Sequence, residues 1–211
     1  MKKTLSFLLC LITLLSFAAC SEVPETVDIP LTPPERGTIS NKTYKSNYTD
    51  LSFTVPSENW TFTSTEELAL FCNIDEEVFS SESFEKLLKE NSTVYDVIAE
   101  SQTDKLAILI GFENPKLSSL GKLSSASDFV NTAMDKLVDT FGSENTSYQL
   151  SDLESVTLSG HQYVKKTLTV MTDSESASQT YYARNLGDYL SVIIITHMGD
   201  TTCAQVESLF S

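Results

Sequence analysis

Two segments, Leu106-Ala107-Ile108-Leu109-Ile110 and Val192-Ile193-Ile194-Ile195, carry an apolar side chain at every position. A strand that meets water on one side alternates apolar and polar residues, so an unbroken apolar run suits a strand covered on both faces. Whatever this chain folds into, at least two strands must lie inside a sheet with a layer on each side. The neighbouring patterns supply the rest of that sheet. Lys42 to Lys45 and Leu51 to Val55 alternate loosely around the turn Asn47-Tyr48-Thr49-Asp50, and Val94 to Glu100 pairs with Lys105 to Phe112 across Ser101 to Asp104. Five further strands are predicted at Tyr148 to Leu150, Ser155 to Leu158, Gln162 to Met171, Gln179 to Arg184 and Tyr189 to Thr196. Turn residues separate them: Ser159-Gly160, the polar stretch Thr172 to Ala177, and Asn185 to Asp188.

Helical signals are fewer. Ser64-Thr65-Glu66-Glu67 has the form of a capping box, in which the serine hydroxyl and the glutamate carboxylate each satisfy a backbone N–H of the other residue. A short helix through Leu68, Leu70 and Phe71 follows from it. Another helix is predicted over 81–90, where Phe84, Leu87 and Leu88 share a face and Glu85 stands four residues before Lys89. The clearest helix starts at the cap Ser125-Ala126-Ser127-Asp128. Phe129, Val130, Ala133, Met134, Leu137, Val138 and Phe141 then make one apolar stripe, and Gly142 closes it. A last short helix after Asp200-Thr201-Thr202 carries Val206 and Phe210. Long strands joined by hairpins, with few helices between them, define the α+β class. The two-faced strands extend this to an α/β/α sandwich with a mostly antiparallel central sheet.

The first twenty residues carry a different message. Lys2 and Lys3 precede an uncharged apolar run from Leu5 to Ala19, the layout of a secretory signal peptide. The run is shorter than the roughly 20 residues a membrane-spanning helix needs. It ends Phe17-Ala18-Ala19-Cys20, which resembles the bacterial lipobox. Cleavage after Ala19 and lipidation of Cys20 are expected, with more than one acyl chain, because a single chain holds only marginally. The organisation expected is therefore a signal peptide over 1–19, a disordered proline-rich tether over 20–36 and one globular domain over 37–211. The address is the extracytoplasmic face of the cell membrane.

Charge and motifs narrow the function. With 29 acidic against 14 basic residues the formal charge is −15, and two of the lysines leave with the signal. Nucleic acid is excluded as a partner, since phosphate binding relies on clustered Lys and Arg. Anionic lipid would be approached only through the anchor. No GxSxG, HExxH, P-loop or GxGxxG spacing occurs, and His161 and His197 have no neighbour at metal-ligand spacing. Neither an enzyme, a metal nor a cofactor is expected. The acidic run Asp75-Glu76-Glu77 reads as the start of a helix rather than a calcium loop, and Asp96, inside a strand, reads as structural. Cys72 and Cys203 are either two buried thiols, the favoured arrangement, or a disulfide closing a long loop. Trp60 and Tyr181 are the aromatics that would face a ligand; as core packing they would instead contribute buried apolar area. Two functions are thus open: a noncatalytic interaction module for a protein or envelope partner, or a module binding a small apolar or peptide ligand in a pocket near Trp60.

Several local strings carry a family likeness. They are Phe53-Thr54-Val55-Pro56 with Trp60 and the Ser64 to Leu68 cap, Tyr95 to Glu100, Phe112-Glu113-Asn114, and the hairpin from Tyr181-Tyr182-Ala183-Arg184 to Ile195. With the order of elements, they resemble small lipoproteins of Firmicutes that have a PsbP-like domain. The resemblance implies the sandwich fold and the membrane address. It implies no catalytic residue, because a fold hosts unrelated functions.

Overall fold

The structure, a computed structural model, describes residues 25–101, 103–141, 147–171, 176–198 and 203–210. In chain order these form β1 (Val27–Asp28), β2 (Thr38–Ser40), β3 (Thr43–Ser46), β4 (Leu51–Thr54), β5 (Trp60–Phe62), α1 (Thr65–Cys72), α2 (Glu76–Ser81) and α3 (Phe84–Glu90). There follow β6 (Thr93–Ser101), β7 (Leu106–Glu113), α4 (Ala126–Phe141), β8 (Ser147–Leu150), β9 (Glu154–Leu158), β10 (His161–Met171), β11 (Ser176–Leu186), β12 (Tyr189–Met198) and α5 (Cys203–Glu207).

The two wholly apolar segments are the adjacent central strands β7 and β12, antiparallel with Ile110 opposite Ile193. The main sheet runs β5-β6-β7-β12-β11-β10-β8, with β9 also on β10 and β1 on β11. All of its pairs are antiparallel except β1 with β11. A second sheet, β2-β3-β4, is separate. The fold is α+β with a mostly antiparallel central sheet, as expected.

Alternation along the strands divides the core in two. On the front face, Val97, Ile110, Ile193 and Tyr182 form a row across four strands. This row lies in one apolar cluster with Tyr44, Leu51 and Phe53 of the small sheet and with Val206 and Phe210 at the C-terminus. The front layer is therefore a sheet joined by a short helix, not helices alone. On the back face the row is Ile98, Leu109, Ile194 and Tyr181. There α1 packs beside β6, and α4 packs over β10 and β11.

The caps read from sequence are in place. Ser64 Oγ accepts from Glu67 N, the Glu67 carboxylate accepts from Ser64 N, and Asn73 ends α1 in the left-handed region. Asp75 caps α2 by accepting from the N–H groups of Glu77 and Val78, so the acidic run is a helix start. The single helix predicted over 81–90 is two. Glu82 is extended and Ser83 caps α3 through the Lys86 N–H, which stops one helix and starts the next.

Residues 25–36 correct the expected tether. The prolines prevent a long ladder, but side chains hold the segment down as a strap. The Glu25 carboxylate accepts from Ala126 N and Ser127 N at 3.0 Å each, so it caps α4, and it also accepts from Asn185 Nδ2 at 2.8 Å. An acid at this end of a helix meets its positive dipole. Val27 and Asp28 pair with Asn185 and Leu186. Asp28 meets the buried Arg184 guanidinium at 2.7 Å, and Arg184 also donates to the Thr49 carbonyl. Further along, Arg36 stacks over Phe79 at 3.9 Å, and Gly37 N donates to Asp96.

Candidate functional site: a groove on the back face

Because α1 sits at the β6 edge and α4 lies over β10 and β11, the central strands are left partly uncovered between them. The result is a cavity of about 230 Å³. Its floor is Tyr95, Gly111, Val192, Ile194 and Tyr181, and its wall is the α4 face made by Phe129, Ala133, Lys136, Leu137 and Thr140. Those helix positions fall three or four apart, so one side of α4 lines the groove.

Gly111 makes the floor possible. A Cβ there would stand 2.8 Å from the Val94 carbonyl and 2.9 Å from the Tyr95 ring. With no side chain at 111, the Tyr95 ring lies across its neighbour strand and the groove keeps its depth. At the other side Tyr181 packs against Phe129, ring centres 6.2 Å apart.

Polar groups lie at the margins. Glu113, at the end of β7, is buried and accepts from Thr93 Oγ1 at 2.6 Å. Burial raises its carboxyl above the ordinary value despite hydrogen bonds from Ser118 and Thr93. Burial likewise pushes the Tyr181 phenol up to about 12, with a further push from Tyr95, and raises Tyr95 itself. Lys136 Nζ donates to the Ser119 carbonyl at 2.9 Å, tying α4 to the loop that closes one end. Burial favours the neutral form of each of these acids. The groove is an apolar slot with hydrogen-bonding hydroxyls, a carboxyl at one end and an ammonium at its rim, which is the usual composition of a small-ligand site.

The residues singled out from sequence divide sharply. Tyr181 lines the groove. Trp60 does not: it is 7 % exposed, inside the front-face cluster. The expected pocket near Trp60 is thus replaced by one on the opposite face, because the small sheet seals the front. Cys72 is a free thiol, and the side chain of Cys203 lies outside the described residues. The Cys72 Sγ accepts from Tyr95 N at 3.1 Å, at a stretch of the β6 edge that β5 does not reach, and burial pushes the thiol up. Cys20 lies outside the described residues.

Asp96 is structural, as read. It occupies the bulge in β6 between Tyr95 and Val97, and its carboxylate accepts from Tyr44 Oη at 2.6 Å and Gly37 N at 2.8 Å. His161, read as an exposed or edge residue, begins β10 partly open to solvent and lies between two acids, with Nδ1 at 3.3 Å from Asp28 and Nε2 at 3.4 Å from Asp50. Glu113 was not anticipated. The signal available was an acid ending an apolar strand, Phe112-Glu113-Asn114. Among the described residues no three His, Cys, Asp or Glu side chains cluster as metal ligands, and no helix is long and apolar enough to cross a membrane.

Fold and groove together define an α+β sandwich domain with a slot on its helical face. No protein-family model and no curated protein matches the chain. Among solved structures it is similar to the solution structure of cyanobacterial PsbP (CyanoP) from Synechocystis sp. PCC 6803. The identity is 13% and the TM-score 0.47, over 93% of this chain and 98% of that one. That likeness brings no site residue with it.

Proposed function

We propose that this chain is an exported lipoprotein of the Firmicutes type, held at the extracytoplasmic face of the membrane through Cys20, whose folded part is a noncatalytic binding module. Its occupant is a small apolar molecule, or an apolar peptide side chain with its flanking backbone, seated in the back-face groove. The groove is the observation that carries this reading: a slot of about 230 Å³ with an apolar floor and hydrogen-bonding groups at its margins. The noncatalytic part draws support from the protonation states. Burial holds Tyr95, Tyr181 and the nearby Cys72 thiol toward their neutral forms, which are weak nucleophiles. Lys136 is engaged by a backbone carbonyl.

Extraction of the full chain from its own membranes in mild detergent, followed by native mass spectrometry, tests both halves. The expected spectrum shows the mass of a diacylglyceryl-modified chain beginning at Cys20 together with a bound small molecule. An unmodified N-terminus overturns the anchor, and an empty chain at every extraction condition overturns the ligand.

A further inference from the structure

The strap presents three apolar side chains to solvent, Val27, Ile29 and Leu31, at 62%, 83% and 101% exposure. Single exposed apolar residues are ordinary, but a row of them marks an interaction surface. These three alternate, and the residue between the first two, Asp28, turns inward to Arg184. In an extended segment that alternation places 27 and 29 together on the outer side. The row is also fixed in position. Val27 and Asp28 pair with β11, Gly187 N donates to the Asp28 carbonyl at 2.9 Å, and Glu25 is held by the start of α4.

We infer that this row is the surface by which the domain rests on the lipid bilayer, with Val27, Ile29 and Leu31 entering the headgroup boundary. The inference depends on the lipoprotein reading above, which supplies the reach. Val27 lies seven positions beyond Cys20, so even fully extended chain keeps the start of the row within about 25 Å of the anchor. Electrostatic attraction does not draw it there. The chain is acidic overall, and Glu25, Asp28 and Glu35 lie on the strap itself. The contact is therefore apolar insertion rather than recognition of anionic headgroups. Resting on the strap, the main sheet points its opposite end away from the membrane. Met171, opposite Ser176 at that end, is nine residues along β11 from Asn185, the partner of Val27, a distance of roughly 30 Å.

Two single variants of the full chain, expressed in a bacterium that processes lipoproteins and purified as that host leaves them, test this: Ile29→Trp and Met171→Trp, each on an exposed position. Both are reconstituted on phosphatidylcholine vesicles whose acyl chains carry bromine, with Trp60 as a common buried background. The expected result is that Ile29→Trp loses about half or more of its added emission, as a side chain seated at the acyl boundary must, while Met171→Trp keeps its emission. If both variants float with the vesicles and are quenched alike, or neither is quenched, the strap contact is wrong and the anchor stands. If neither floats with the vesicles, the lipoprotein reading fails and the inference with it.

Discussion

The two faces of the main sheet are built from the same kind of strand yet end differently. On the front, the small sheet closes over the main one and brings Phe53, which is wholly buried against Tyr44, Phe62 and Phe210. On the back, α1 and α4 stand apart, and Tyr95, Leu109 and Tyr181 remain half-buried. A sheet laid on a sheet follows its twist and seals it, whereas two helices on the flanks leave a furrow over the central strands. The front is therefore where stability is concentrated and the back is where something can bind.

The most severe way to break this contrast is at the front. Phe53→Ala should cost about 4 kcal/mol in urea unfolding, the usual range for emptying a buried aromatic site. Asp96→Ala comes next, at about 3 kcal/mol, because Tyr44 Oη, Gly37 N and Arg36 lose a buried anionic partner. On the back, Tyr181→Ala should cost only about 1–2 kcal/mol, since part of its ring already faces the groove. A cost equal to that of Phe53→Ala would mean the back face is as sealed as the front.

A subtler comparison uses pH. Burial raises the Glu113 carboxyl above 4.5 in the folded chain. Between that ordinary value and the raised one, the native state keeps a proton that the unfolded chain has released, so stability falls as pH climbs through the window. Glu113→Gln removes this share and should flatten the slope on the alkaline side of pH 4.5 in denaturant titrations. An unchanged slope would mean that the Glu113 end of the groove is wet. The smallest effect on stability is expected from Thr140→Trp, within about 0.5 kcal/mol, because Thr140 is exposed at the rim.

How much of this was written in the sequence depends on the range of the forces involved. Strands β7 and β12 were legible because both of their faces are apolar, and the caps at Ser64 and Asp75 because they act within a few residues. The strap was misread: its prolines argue against regular structure, but Glu25, Asp28 and Arg36 find partners more than forty residues away. The groove was legible only in part. Tyr181 could be named as a ligand-facing aromatic, but the opening itself depends on where α4 crosses the sheet and on Gly111 meeting Tyr95, which are properties of packing between distant segments. Of the two roles open to Trp60, core packing is the one the fold realises, and that too is decided by packing between distant segments.

Native mass spectrometry of the detergent-extracted chain, wild type beside Thr140→Trp, tests the back-face groove most directly. The indole at 140 should plug the slot without touching the core. The account predicts a bound small molecule on the wild type and none on the variant, with unfolding midpoints unchanged. Equal occupancy of the two proteins would contradict it.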